Sequence, residues 1–334
     1  MSFSEQRKNA IIMYLLEKIE AGDPFPVKKT ADSFSVTPAT VYKYLDRLEA
    51  DGAVRKIKRG TYELTSRSFS FSLTRSSGEL EREEYIYSRY ILPQLESLPQ
   101  NVIHMWDYIA GEMLNNVIDH SEAENVTVTV SMNCLNTTIR FADDGIGIFN
   151  KIKNYFNLYS LDEAVGELFK GKLTTDAQHH SGEGIFFSSR LADSFVIISS
   201  GKAFYHDRFD RDKFIDDFPA PGTIIYATLS NNSNKSAKSV FDKFADVDGG
   251  FTATSIPIVN YFESIPVSRS QAKRLCEGLD KFRTVNLDFR GVEWIGQAFA
   301  DQIFRVFANE HPEITVIPHN MNDDVRKMYN HVTV

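Results

Sequence analysis

The chain contains EMLNNVID at residues 112–119, DDGIG at residues 143–147 and HSGEGI at residues 180–185. In the first stretch Glu112, Asn116 and Asp119 are four and three residues apart, which places them on one face of a helix. The second stretch follows two segments of alternating apolar residues, the pattern of β-strands. The third precedes an apolar segment that is typical of a helix. This order predicts one pocket built from a helix, a turn after a strand, and the start of a second helix.

The glycines in these stretches suit a pocket for a phosphorylated ligand. Gly182 and Gly184 come directly before the helix predicted from about Ile185, where backbone N–H groups and the helix dipole favour phosphate. Gly145 and Gly147 lack Cβ atoms, which would obstruct the approach of a planar ring such as a nucleobase. Taken singly, the first stretch also fits a solvated polar helix face, and the second fits an ordinary tight turn.

As an ordered set, the three stretches resemble the ATP site of the GHKL superfamily, which includes gyrase B subunits, MutL, histidine kinases and anti-sigma serine kinases. The resemblance covers about residues 79–230 and implies an α/β sandwich, the Bergerat fold, that binds ATP and Mg²⁺. It implies that Glu112 is the catalytic residue that orients or deprotonates water, and that the carbonyl oxygen of Asn116 binds Mg²⁺. It also implies that Asp143 accepts a hydrogen bond from the adenine amine, and that the Thr223 hydroxyl approaches the nucleotide. The predicted ATP-binding residues are Asn116, Asp119, Asp143, Gly145, Gly147, Lys172, Gly182, Gly184 and Thr223.

The third stretch departs from the family in one residue, because Glu183 stands where the family usually has leucine. The residues between the second and third stretches, about 30 in number, are expected to form the mobile ATP lid. Lys170 and Lys172 flank Gly171 in this region, and Lys172 is the predicted phosphate ligand. We interpret His179-His180 as polar lid residues, not metal ligands.

Residues 1–75 contain helical and strand patterns that indicate a separate domain. Apolar spacing indicates three helices, and the third begins at Pro38 after a favourable N-cap at Thr37. An alternating segment at residues 54–64 indicates a hairpin with a basic tip, and the whole resembles a winged helix-turn-helix domain. The resemblance implies base contacts from Thr40, Tyr42 and Lys43 and phosphate contacts from Lys56, Lys58 and Arg59. The alternative is a small helical domain that binds protein.

Two further segments bear on the domain boundaries. The serine-rich residues 66–77 are either a linker or a strand docked on the next domain, and the polar residues 231–236 form the best internal boundary. Residues 240–334 alternate between helical and strand patterns, which predicts a small α/β domain with a partly parallel sheet. The run at residues 285–298 resembles STAS domains and, more closely, a STAS-like domain of unknown function. Gly296 and Gln297 occupy the region where STAS antagonists of anti-sigma kinases carry an acceptor serine, which favours a binding or dimerisation module.

Composition limits the class of protein. The 334 residues are 42% hydrophobic and 25% charged, as in ordinary globular proteins, and the length predicts two or three domains. The only cysteines, Cys134 and Cys276, lie far apart, which favours reduced thiols over a disulfide or zinc site. The start of the chain has no apolar signal core and no run approaches 18 apolar residues, so we expect a cytoplasmic protein without membrane contact. Residues 1–75 carry a net charge of +4 and the rest carries −12, which suggests a polyanion partner for the N-terminal domain.

These patterns predict a multidomain α/β protein with a winged helix, a GHKL sandwich and a STAS-like domain. The leading hypothesis is an ATP- and Mg²⁺-dependent DNA-binding transcription regulator with slow ATP hydrolysis. Its C-terminal domain would bind an unknown protein or mediate self-association, for example as a homodimer. The alternatives are a serine/threonine protein kinase of the anti-sigma type and a non-catalytic scaffold in which ATP is structural.

Overall fold

The computed structural model describes residues 4–58, 60–173, 182–207, 212–245, 250–262 and 265–333. Within these residues the strands form a two-stranded, a five-stranded and a three-stranded sheet, in that order along the chain. Helices accompany each sheet, so the predicted multidomain α/β class is confirmed at this level.

The N-terminal domain consists of three helices and a hairpin. Its elements are α1 (Glu5–Glu20), α2 (Pro26–Phe34), α3 (Pro38–Ala50), β1 (Val54–Lys58) and β2 (Thr61–Leu64). The predicted cap is present, because the Thr37 hydroxyl accepts a hydrogen bond from the Thr40 backbone N–H at 3.3 Å. Leu15, Val41 and Leu45 are almost completely buried between the helices. The strands β1 and β2 pair antiparallel.

The central domain is built on an antiparallel sheet in the order β3-β4-β5-β7-β6. Its strands are β3 (Arg67–Thr74), β4 (Asn125–Met132), β5 (Asn136–Asp143), β6 (Ser194–Asp207) and β7 (Asp212–Ser230). Residues 66–77 are therefore largely a docked strand, not a linker. We assigned residues up to 75 to the N-terminal domain, whereas β3 pairs with β4 along its whole length and buries Leu73 in the central core. Strands β6 and β7 are the longest of this sheet.

Helices cover one face of this sheet. They are α4 (Glu83–Ile86), a π-helical turn (Tyr87–Ile91), α5 (Leu92–Leu95), α6 (Gln100–Asn115), a second π-helical turn (Asn116–His120), α7 (Ile148–Tyr155), α8 (Leu161–Lys170) and α9 (Gly184–Leu191). Alternate residues of β4 and β5 point into the core between sheet and helices, where Trp106 of α6 is completely buried. The opposite face carries hydroxyl pairs such as Ser70 with Thr129, as expected for an antiparallel sheet with one polar face.

Helix α10 (Ala237–Phe241) follows β7 and packs on α6 and α9 of the central domain. The C-terminal domain has a fully parallel sheet in the order β10-β9-β8. Its regular elements are β8 (Ala253–Pro257), α11 (Arg269–Cys276), β9 (Thr284–Asp288), α12 (Gln297–Asp301), α13 (Ala308–Glu310), β10 (Thr315–His319) and α14 (Asp323–Thr333). A π-helical turn (Gln302–Phe307) joins α12 to α13. Strand β8 was not predicted, because Ile256 is its only large apolar residue. Helix α11 ends at Cys276, and Gly278 follows with a φ of 71°.

The N-terminal domain docks on the turn between β4 and β5. Leu135 in this turn is 3% exposed and belongs to the apolar core formed by α1, α2, α3 and β1. Glu20 at the end of α1 accepts a hydrogen bond from the Asn136 side chain at 2.8 Å. The paired segments of β5 and β7 meet here at Asn136 and Ser230, and their other limit lies beside Asp143 and Thr223.

None of the helices in the described part of the chain combines the length and the apolar character that a bilayer crossing requires.

The Leu135 contact generates a prediction. We expect Leu135→Ala to destabilise the N-terminal domain by about 2 kcal/mol, because a buried leucine leaves a cavity when it is truncated. The measurement is calorimetric unfolding combined with limited proteolysis between the N-terminal and central domains. Val259→Ala, at a side chain that is 40% exposed, is the control and should change stability by less than about 0.5 kcal/mol. Equal stability of the two variants would contradict docking through Leu135.

Candidate functional site

One cavity of about 380 Å³ lies between the sheet and the helices of the central domain. This volume is in the range of small-molecule sites. The three sequence stretches meet in it, because α6 and the following π-helical turn, the end of β5, and the start of α9 all contribute walls. Of the predicted residues, those that line the cavity are Glu112, Asn116, Asp143, Gly147, Gly182, Gly184 and Thr223. The apolar side chains that line it include Met113, Ile148, Leu173, Ile185 and Ile225.

Asp143 is a buried carboxylate at the end of β5, with 8% of its surface exposed. Its Oδ1 accepts hydrogen bonds from the backbone N–H groups of Gly145 at 2.9 Å and Thr223 at 3.2 Å. Burial raises the pKa of Asp143, and these two hydrogen bonds offset part of that effect. Among the described residues no donor reaches Oδ2, which leaves this oxygen to accept a hydrogen bond from a ligand.

A glycine permits the close approach of β7 to Asp143. Gly222 has a φ of 60°, and a Cβ at this position would lie 2.6 Å from Asp143 Oδ1. The next residue, Thr223, is buried, and its hydroxyl accepts a hydrogen bond from the backbone N–H of Ile148 at 3.0 Å. Thr223 therefore ties the first turn of α7 to the sheet beside the cavity.

Asn116 begins the π-helical turn that continues α6. Such turns interrupt helices frequently at functional sites. The amide nitrogen of Asn116 is buried, and none of the described residues accepts a hydrogen bond from it. A buried amide that lacks one partner is costly unless a ligand or water satisfies it. The amide therefore fits a polar ligand in the cavity, and its oxygen is of the type that Mg²⁺ binds.

Glu112 packs directly on the first turn of α9. A Cβ at Gly184 would lie 2.8 Å from the carboxyl carbon of Glu112, so only glycine allows this contact. The carboxylate thereby stands at the positive end of the α9 dipole, where negative charge is favoured. Glu112 and Gly184 both line the cavity, which puts a candidate general base beside a candidate anion site.

The structure does not bring every predicted residue to the cavity. Asp119 is exposed and does not line it, and Gly145 lies behind the Asp143 carboxylate. Lys172 points to the C-terminal domain, where its ammonium donates to the Lys281 carbonyl at 3.0 Å and lies over the rings of Phe251 and Phe282. The family-like role of Lys172 at a phosphate is not supported by this position.

Other predictions fall on residues that the structure does not describe. His179, His180 and Ser181 belong to this group, as do the neighbouring residues of the expected lid and Arg59 in the N-terminal hairpin.

Lys151 lines the cavity although sequence reasoning did not select it. Its ammonium donates a hydrogen bond to the carbonyl of His120 and lies 3.8 Å from Glu122 Oε1. The residue follows Gly147 by four positions, which is one helical turn into α7. That spacing is the only local signal for its place at the cavity.

The described residues contain no group of three or more His, Cys, Asp or Glu side chains arranged to hold a metal ion. Any cation in the cavity would therefore depend on few protein ligands and on oxygens of the bound molecule. Cys134 and Cys276 are free thiols, and burial raises the pKa of both.

The N-terminal domain exposes basic side chains on α3 and on the hairpin. Lys43, Lys56 and Lys58 are exposed, and no acidic side chain in the described chain pairs with them. Tyr42, also exposed, neighbours Lys43 on α3. The hydroxyl of Thr40 already has a hydrogen-bond partner, because it lies 3.0 Å from the hydroxyl of Thr37. This surface combines uncompensated positive charge with an aromatic ring.

The comparison with known families identifies one segment. Residues 271–326 match the STAS-like domain of unknown function (DUF4325). The C-terminal domain is therefore STAS-like, which confirms that part of the sequence interpretation. No curated protein matches the chain.

The Glu112–Gly184 contact predicts different effects for two glycine substitutions. Gly184→Ala should move the Glu112 carboxylate away from α9 and lower stability by less than about 1 kcal/mol, because the atoms nearest the new methyl group are the end of a flexible side chain. Gly111→Ala, one residue before Glu112, has open space around it and should stabilise α6 by up to about 1 kcal/mol. Thermal unfolding of both variants checks this, and a loss of more than about 2 kcal/mol in Gly184→Ala would contradict a contact made by the flexible end of Glu112.

The raised pKa of Asp143 predicts that the stability of the protein depends on pH. Because burial raises the pKa of Asp143, the ionised carboxylate costs stability that the neutral form does not, and the cost appears as pH rises through the folded-state pKa. Asp143→Asn should therefore unfold at a higher temperature than the wild type at pH 8. The difference should shrink as pH falls toward about 4, the ordinary range for aspartate. A lower unfolding temperature for the variant at pH 8 would contradict this assignment.

Proposed function

We propose that the protein is an ATP- and Mg²⁺-dependent DNA-binding regulator, in which a GHKL-type nucleotide site controls a winged-helix domain. The observation that carries the proposal is the meeting of Glu112, Asn116, Asp143, Gly184 and Thr223 around one cavity. These residues come from separate stretches of the chain, in the order in which the GHKL family presents its ATP-binding residues.

The polar groups suit the two ends of ATP. Asp143 is a buried acceptor with its Oδ2 left to a ligand, which fits the exocyclic amine of adenine. The N-terminus of α9 at Gly184 fits phosphate. Between them, Asn116 supplies an amide oxygen for Mg²⁺, whose remaining ligands would be phosphate oxygens and water. A bound Mg²⁺ would neutralise phosphate charge, and Glu112 is placed to take a proton from water.

Two strands connect this cavity with the N-terminal domain. β5 carries Asp143 at one end and reaches the Leu135 turn at the other, and β7 runs beside it from Thr223 to Ser230. Asn231, directly after β7, accepts a hydrogen bond from Thr137 at 2.7 Å and donates to the Asn133 carbonyl at 2.8 Å. A ligand that shifts β5 against β7 would therefore change how the N-terminal domain is held, which is a shift between populated states.

DNA is the partner that we propose for the N-terminal domain. Three helices and a hairpin in this order suit a winged helix-turn-helix, with α3 in the major groove. Lys43, Lys56 and Lys58 supply unpaired positive charge on α3 and the hairpin, where phosphate contacts are expected. The N-terminal domain without β3, residues 1–65, has a net charge of +2, from 11 Lys and Arg against 9 Asp and Glu, and this excess favours the same partner.

One observation favours protein kinase activity as a second candidate. Glu112 and Asn115 also line a neighbouring cavity of about 190 Å³, together with Tyr87 and Tyr108. Because both cavities border Glu112, a hydroxyl group of another protein that entered the second cavity would come near the same base. Phosphoryl transfer requires chiefly such positioning and a metal ion.

The test of nucleotide binding is a thermal shift titration with ATP and Mg²⁺. We expect saturating ATP to raise the unfolding temperature, and Asn116→Ala to weaken ATP binding by about 10–100-fold and abolish its Mg²⁺ dependence. Asn154→Ala, at an exposed position on α7, is the matched control and should bind as the wild type does. The absence of any ATP-dependent shift in the wild type would overturn the proposal.

The test of coupling is a gel shift on genomic DNA fragments with and without ATP. Nucleotide should change the apparent Kd for DNA at least several-fold in the wild type and leave Asn116→Ala unaffected, whereas identical curves would overturn the coupling. Incubation with γ-labelled ATP then separates the reactions. Released phosphate that falls about 100-fold or more in Glu112→Gln indicates hydrolysis, labelled protein indicates a kinase, and neither product indicates a scaffold.

A further inference from the structure

Lys170, the last residue of α8, is a buried cation whose partners belong to two domains. Its side chain is 3% exposed and pairs with Glu167 on the same helix. The ammonium also donates hydrogen bonds to the carbonyls of Glu277 at 3.0 Å and Arg274 at 3.5 Å, at the end of α11 in the STAS-like domain. A buried ammonium is stable only when such acceptors surround it, and the C-terminal end of a helix attracts positive charge.

The same face of α8 makes further polar contacts with the STAS-like domain. Tyr261 donates a hydrogen bond to Glu167 at 2.6 Å, and Arg274 lies 2.9 Å from Glu163 without a well-directed hydrogen bond. Gly166, between these acidic residues, brings the helix against the Tyr261 ring, since a Cβ there would lie 2.5 Å from a ring carbon. This face of α8 is therefore fitted to the STAS-like domain along its length.

Helix α8 and the residues directly after it also form part of the wall of the nucleotide cavity. Leu168 of α8 lines the cavity, as does Leu173 shortly after it. Helix α9 repeats the arrangement, because Gly184 and Ile185 line the cavity while the next residue, Phe186, packs in the core of the STAS-like domain. The ring of Phe186 lies 4.8 Å from that of Phe251 in that core. Neither helix can move in the cavity wall without disturbing the STAS-like domain.

We propose that Lys170 is a positioning residue that fastens α8 to α11, so that occupation of the cavity and the state of the STAS-like domain are coupled. The inference rests on the proposed nucleotide site and adds a regulatory input to it. Coupling between two sites is reciprocal, so a protein that binds the STAS-like domain and shifts α11 changes nucleotide affinity by the same factor. The STAS-like domain is thus a sensor for the nucleotide site as well as a contact surface.

Hydrogen exchange on the full chain tests this coupling. We expect a saturating, non-hydrolysable ATP analogue with Mg²⁺ to slow amide exchange in α11 about tenfold in the wild type. In Lys170→Met the analogue should still bind, but the slowing in α11 should fall below about twofold. Lys202→Met is the matched control, because Lys202 pairs with Asp162 of α8 at 2.8 Å within the central domain. Its α11 response should remain as in the wild type.

The outcomes separate this inference from the proposed function. If the wild type does not bind the analogue, the nucleotide site and the coupling both fail. If the analogue binds and α11 exchange is unchanged, or if Lys170→Met responds as the wild type does, only the coupling fails. Tyr261→Phe removes one hydroxyl from the same contact and decides the matter if Lys170→Met does not fold. Its α11 response should drop at least twofold at saturating analogue, and a full response would overturn the inference.

Discussion

The buried carboxylate of Asp143 is the constraint on which the cavity depends. One of its oxygens accepts hydrogen bonds from the backbone of Gly145 and Thr223, and thereby joins the turn after β5 to the start of the segment of β7 that pairs with β5. A charge in such surroundings costs free energy unless its remaining oxygen is also satisfied. A hydrogen-bond donor on a ligand would offset this free energy at the second oxygen. Gly222 leaves the space that the Asp143 carboxylate occupies, since it has no Cβ.

The helical wall obeys a second constraint, the contact of Glu112 with Gly184. It fixes the distance between α6, which carries Glu112 and Asn116, and the start of α9. Because Phe186 and Phe187 of α9 are embedded among aromatic side chains of the C-terminal part of the chain, that distance also depends on the STAS-like domain. The cavity is thus a property of two domains, although all of its lining residues belong to one.

Local sequence predicted those features that depend on local spacing. The cap at Thr37 and the helix face of Glu112 and Asn116 are examples, since helix geometry alone fixes them. Packing between distant segments decided the rest. Lys172 was expected at a phosphate, yet the rings of Phe251 and Phe282 hold its ammonium elsewhere. Lys151 was not predicted because its spacing from Gly147, one helical turn, does not distinguish it from other lysines of an amphipathic helix.

Helix α9 has no exposed residue, and this affects how the protein is made. Six of its eight residues are buried, and the rings of Phe186 and Phe187 pack against those of Phe244 and Phe251. Those partners leave the ribosome after α9 does, so the nascent central domain presents an uncovered aromatic surface until they have been made. Exposed apolar surface of this kind promotes aggregation. We therefore expect chains that end before Phe251 to aggregate or to bind chaperones.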